Sequence, residues 1–200
     1  MNKIVKDALV LTAITMISGL ALGGVYEITK EPIAKQEELT KQEAYQTVLA
    51  DADSFEELEI EGTNGAAIPA EAGYSAQEIT GVAAALDSSG NEIGYVYTVV
   101  TSEGYGGDIT FTMGVLRDGT VTGIEMLSIS ETAGLGMKAA EDDFKSQYAG
   151  KKVDKFEYTK SGAAAENQID AISGATITTN AVTNGVNAGI EYFKATEGGK

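Results

Sequence analysis

The stretch DITFTMGVLRDGTVTGIEMLSI, residues 108–129, sets the fold. It reads as two strands, Asp108 to Leu116 and Val121 to Ile129, joined by Arg117-Asp118-Gly119-Thr120. The Asp-Gly pair is a hairpin signal because glycine accepts positive φ at no steric cost. Working back, Glu92 to Thr101 and Ile79 to Asp87 read as two further strands, separated by Ser88-Ser89-Gly90-Asn91 and followed by a connection from Ser102 to Gly107. Four strands with connections this short predict a mostly antiparallel sheet. Working forward, Ala139, Ala140, Phe144 and Tyr148 recur at helical spacing, so Met137 to Tyr148 is expected to be a helix with Gly150 past its end. A short strand at Phe156 to Thr159, a small-residue stretch and a last helix over Thr178 to Phe193 complete the pattern. Asp53 to Ile60 and the Gly/Ala-rich region through Gly73 read as irregular with short extended pieces. The fold class is α+β, one domain with a mostly antiparallel sheet and flanking helices.

Ahead of that domain the chain reads Met1-Asn2-Lys3-Ile4-Val5-Lys6-Asp7, and Ala8 to Tyr26 then carries no charge. About 19 residues at roughly 1.5 Å each nearly match the ~30 Å hydrocarbon core of a bilayer. Thr12, Thr15 and Ser18 can return their hydroxyls to the helix backbone. A removable signal peptide is the competing reading, but the apolar run is longer than an ordinary signal core and no Ala-x-Ala site closes it. The expected division is a cytoplasmic tail and transmembrane helix over 1–26, a connecting helix over 27–52 that could break near Pro32, and an extracytoplasmic domain over 53–200. Lys3 and Lys6 predict the orientation, with the N-terminus cytoplasmic. Gly19 and Gly23 would allow close approach of another membrane helix.

The chain has 200 residues, 43% hydrophobic and 22% charged, within the range of folded proteins. Histidine, cysteine and tryptophan are absent, which excludes zinc ribbons, cysteine-ligated clusters, Ser/His/Asp triads and lipidation at a cysteine. The residues imply no metal site and no stand-alone catalytic group, so redox chemistry would need a borrowed cofactor. The formal charge is −16; two of the 14 basic and one of the 30 acidic side chains fall before Glu27, which leaves −17 for the remainder. Such a surface repels phosphate backbones, and nucleic acid is not an expected partner.

The run Asp170-Ala171-Ile172-Ser173-Gly174-Ala175-Thr176-Ile177-Thr178-Thr179-Asn180 gathers small residues and hydroxyls where a helix opens. On these features alone it is either an ordinary Ser/Thr N-cap or a phosphate site at the free N–H groups of a helix start. Asp170-x-x-Ser173-Gly174-Ala175-Thr176 resembles the D-x-x-[ST]-G-A-T signature of FMN-binding domains in which a flavin transferase joins FMN through its phosphate to the last threonine. Gly104-Tyr105-Gly106-Gly107 is similar to the G-Y-G-G loop of that family. Glu131-Thr132-Ala133-Gly134-Leu135-Gly136 is similar to its E-T-P-G-L-G segment, with Ala133 in the proline position. The family often has a histidine shortly before that segment, where this chain has Ser128-Ile129-Ser130. The whole chain, including Ile28-Thr29-Lys30-Glu31-Pro32-Ile33 after the span, most resembles the G subunits of Rnf-type electron-transport complexes. The C subunits of sodium-translocating NADH:quinone reductases come next.

The resemblance implies covalent FMN on Thr176, with N–H groups near Ile177, Thr178 and Thr179 holding the phosphate. It implies a role as electron relay in a ferredoxin:NAD oxidoreductase complex coupled to sodium or proton transport. The implied partners are other membrane subunits and the flavin transferase; ferredoxin and NAD are met only through other subunits. The rival from another class is a cofactor-free, membrane-anchored acidic binding or sensor domain in which Thr176 is only a helix cap.

Overall fold

A computed structural model of the chain describes residues 2–198. Met1, Gly199 and Lys200, which belong to the first and last of the expected segments, lie outside the described residues. The chain divides into two units, one ending at Lys41 and the other starting at Gln42. Helix α1 runs Lys3–Val48 and continues through Pro32, one of the two outcomes left open there. Proline there removes one N–H from the ladder, and the turns on either side keep the rest of it. In the first unit the apolar side chains from Leu9 to Val25 are exposed, and the window is long and apolar enough to cross a membrane. The Thr12 hydroxyl donates to the Ala8 carbonyl at 2.9 Å and that of Thr15 to the Leu11 carbonyl at 3.1 Å, so neither stays unpaired on the apolar surface.

The second unit is built on a five-stranded antiparallel meander in the order β1 (Ser54–Leu58), β2 (Gln77–Leu86), β3 (Glu92–Thr101), β4 (Ile109–Leu116) and β5 (Val121–Ser128). The four predicted strands are present, and Gly119 takes φ +89° in the β4–β5 turn. Period-two alternation sends Tyr97, Val99, Phe111, Met113, Val115 and Ile124 to one face, where they meet the last helix, α4 (Thr176–Thr196), through Val182, Val186 and Ile190. The helix lies close because Gly185 and Gly189 stand over Phe111 and Met113: a Cβ on either would come within 2.8 Å of the ring or 2.7 Å of the sulfur. On the opposite face Ala83, Ala85 and Val96 pack with Tyr45, Val48, Leu49 and Ala52.

Several expectations are corrected. Asp53 to Ile60 contains the edge strand β1, which holds only because β2 supplies its hydrogen bonds; two adjacent glutamates hide the pattern. The region before Gly73 contains helix α2 (Asn64–Glu71), whose Gly65 and Pro69 defeat any periodic signal; Ile68 packs it on the core, and Gly65 lets it approach the Ile79 carbonyl. Met137 to Tyr148 is no single helix. It is a 3₁₀ turn over Gly136–Ala140, the short helix α3 (Asp142–Lys145) and a second 3₁₀ turn over Ser146–Tyr148. Glu141 is extended (φ −81°, ψ 147°), which resets the phase so that Ala139, Phe144 and Tyr148 all reach the core. Helix α4 starts two residues earlier than predicted. The strand near Phe156 is β6 (Glu157–Thr159), and it pairs in parallel with an unforeseen β7 (Gln168–Asp170).

Candidate functional site

Strand β7 ends at Asp170, and the chain turns through Gly174 into α4. The residue that opens the helix is Ala175, with no side-chain cap, so the expectation of a Ser or Thr cap is corrected: Thr176 is the first helical residue. The first intrahelical bond runs from the Thr179 N–H to the Ala175 carbonyl at 3.0 Å. The N–H groups of Thr176, Ile177 and Thr178 precede it and have no intrahelical acceptor. Contrary to expectation, Thr179 therefore does not offer its own N–H to a ligand. Its buried hydroxyl instead accepts the Ile172 N–H at 3.0 Å and donates to the Ala175 carbonyl at 3.0 Å, tying the loop to the helix.

Beside this helix start is a cleft of about 600 Å³ lined by Tyr105, Glu131, Thr132, Leu135, Gly136, Gly174, Ala175, Thr176, Ile177 and Thr178. Every lining residue belongs to one of the three motifs or follows one within two positions, and the motifs lie 24 or more positions apart in sequence. The remaining motif residues act from outside the lining. Asp170 accepts the Ala163 N–H at 2.5 Å and fixes the loop before β7. Ser173, Gly104, Gly106, Gly107 and Gly134 complete the three loops without lining the cleft.

Two carboxylates hold the Gly104–Gly107 loop. The Tyr105 N–H donates to Glu131 Oε1 at 2.7 Å, and Glu131 is only 9% exposed. Glu103, just before the loop, accepts from the Asn184 amide at 2.7 Å and from that of Asn180 at 3.5 Å, linking the loop to α4. Gly136 brings the third loop in: a Cβ there would lie 2.6 Å from Thr178 Oγ1 and 2.7 Å from Glu131 Oε2. Glu103 and Asn184 were missed from sequence, and Asn180, at the end of the signature run, was given no role there. The available signal was two asparagines four apart on one helix face, which becomes informative only when their acceptor is known.

The second unit has five large apolar side chains that are exposed among its described residues, and three of them surround Thr176: Tyr105 at 72%, Ile177 at 52% and Leu135 at 42%. Exposed apolar surface beside a helix start whose first three N–H groups have no intrahelical acceptor has the composition of a candidate ligand site.

Residues 104–191 match the family described as FMN-binding domain, and residues 1–48 match that described as RnfG N-terminal region. The G subunit of the proton-translocating ferredoxin:NAD(+) oxidoreductase complex of Clostridium ljungdahlii is 36% identical over 192 residues, covering 95% of this chain and 91% of that one. The chain belongs to the family of Rnf complex G subunits. The corresponding subunit of the Na(+)-translocating ferredoxin:NAD(+) oxidoreductase complex of Acetobacterium woodii is 31% identical, covering 94% of this chain and 91% of that one. Among solved structures, NqrC of Shewanella oneidensis aligns with a TM-score of 0.49 at 19% identity, covering 74% of this chain and 70% of that one.

The residues of this RnfG-family chain fit FMN. The cleft volume is in the ordinary range for small-molecule sites, roughly 300–1,000 Å³. Tyr105, Leu135 and Ile177 offer apolar surface to a planar ring. Among the described residues no lysine or arginine lines the cleft. A phosphodiester carries about one negative charge, which the N–H groups of Thr176, Ile177 and Thr178 and the positive end of a 21-residue helix suit.

Proposed function

We propose that the Thr176 Oγ carries FMN through a phosphoester bond and that the chain serves as an electron-carrier subunit of a ferredoxin:NAD oxidoreductase complex that moves sodium or protons across the membrane. The observation that carries this reading is the position of Thr176. It lines the cleft as the first residue of α4, beside N–H groups with no intrahelical acceptor, in a lining that includes three exposed apolar side chains. The isoalloxazine supplies one- and two-electron transfer when bound. The remaining work falls to the protein. The N–H groups of Ile177 and Thr178 hold the phosphate, Tyr105, Leu135 and Ile177 shield the ring from water, and the Glu103 and Glu131 bonds keep the Tyr105 loop in place before loading.

Thr176 has no histidine to activate it, and an aliphatic hydroxyl is a weak nucleophile at neutral pH. A separate flavin transferase therefore makes the bond, taking up the Thr176 hydroxyl proton as the new P–O bond forms and the donor's leaving group departs. The long apolar helix anchors the chain, Lys3 and Lys6 hold its N-terminus in the cytoplasm, and the domain from residue 53 onward lies outside. A covalent bond suits that location, because a cofactor held only by contacts would equilibrate with a dilute external pool. Ferredoxin and NAD, both cytoplasmic, are served by other membrane subunits of the complex.

The test is flavin fluorescence of the denatured full chain after co-expression with the transferase. Wild type gives a fluorescent band, and Thr176→Ala removes it. Because Thr176 makes no capping bond, the same variant changes stability by no more than about 0.5 kcal/mol. Fluorescence that survives Thr176→Ala would refute the attachment site.

A further inference from the structure

Building on the reading of the cleft as a flavin site, we propose that Glu131 is a positioning residue whose buried charge also sets the potential of that site. Its carboxylate crosses from its own loop to that of Tyr105. Oε1 accepts the Tyr105 N–H at 2.7 Å, while Oε2 stands 2.7 Å from where a Gly136 Cβ would be. Glu131 lines the cleft, is nearly buried, and has no lysine or arginine among the other lining residues to balance it. In a partly desolvated site an unbalanced negative charge acts at several times its strength in water. It opposes the arrival of electrons, so the carboxylate holds the midpoint potential of the site low.

Glu103 is the natural comparison. It also anchors the Tyr105 loop, through Asn184 and Asn180, but it does not line the cleft. Charge in the cleft and anchoring of the loop are therefore separable by substitution.

The experiment uses the full chain in detergent, loaded by co-expression with the transferase. It reads three quantities: flavin fluorescence of the denatured band, visible circular dichroism and the midpoint potential. Glu131→Gln keeps an oxygen for the Tyr105 N–H and removes the charge. It is expected to load like wild type, keep its dichroism and shift the potential to more positive values. Glu131→Asp keeps the charge and shortens the reach, so its potential is expected to stay near wild type while its dichroism weakens. Glu103→Gln is expected to leave the potential unchanged. A Glu131→Gln potential equal to wild type overturns the proposal, as does a Glu131→Asp or Glu103→Gln shift as large as that of Glu131→Gln. A wild-type chain that never acquires flavin at Thr176 instead overturns the function on which the proposal rests.

Discussion

Replacing Thr179 with valine keeps the side-chain shape and deletes one oxygen. That oxygen accepts the Ile172 N–H at 3.0 Å and donates to the Ala175 carbonyl at 3.0 Å, and Thr179 is fully buried. The Ala175 carbonyl keeps the Thr179 N–H, so its loss is small. Ile172, also buried, loses the acceptor its N–H has in the folded loop. A buried donor left without a partner costs about 1–3 kcal/mol, and about 2 kcal/mol is the expected loss. For a unit of this size that corresponds to a fall in melting temperature of about 4–8 °C. Thermal unfolding followed by circular dichroism gives the first number, and hydrogen exchange at the Ile172 amide locates it. Flavin loading should fall as well, because the loop that presents Thr176 loses its tie to α4. A change below about 0.5 kcal/mol with unaltered protection of Ile172 would refute the claim that Thr179 closes the signature loop.

Gly136→Ala places a methyl 2.6 Å from Thr178 Oγ1 and 2.7 Å from the Glu131 side chain, all in a packed region, so denaturant unfolding should show a loss of about 1–3 kcal/mol with reduced loading. A Gly136→Ala variant as stable as wild type would show that the three loops do not meet as tightly as described. Burial raises the Tyr97 and Tyr148 hydroxyls above the ordinary tyrosine range, and burial together with the Glu92 and Glu197 bonds does the same for Tyr95. Above about pH 10 the unfolded chain gives up these protons while the folded one keeps them. Stability, complete below that pH, therefore falls as pH rises further. Tyrosinate absorbance should then show these three ionising only together with unfolding; early ionisation of all nine tyrosines would contradict it.

The motifs that line the cleft could be read along the chain because each is dense in glycine or hydroxyl residues, whose conformational or chemical use is local. The four long strands were legible for the same kind of reason: Glu92–Thr101 and its neighbours are bounded by turn residues, and strand alternation is a property of the segment itself. Where stability comes from a neighbour the reading failed. β1 depends on β2, α2 on packing of Ile68 against the core, β7 on β6, and the Met137–Tyr148 segment breaks at Glu141 because its apolar residues must reach one core by two routes.

At the site the division is similar. The hydroxyl proposed to carry the cofactor, the apolar span, the acidity and the absence of histidine and cysteine are matters of composition and order, present before the chain folds. Folding decides that Thr176 is the first residue of α4 and not its cap, that Thr179 spends its hydroxyl on the loop, and that Glu131 bonds Tyr105 across 26 positions of sequence while leaving no room for a side chain at Gly136. Hydrogen bonds and close contacts depend on distances of a few tenths of an ångström between segments far apart in the chain, and only packing against the sheet fixes those distances.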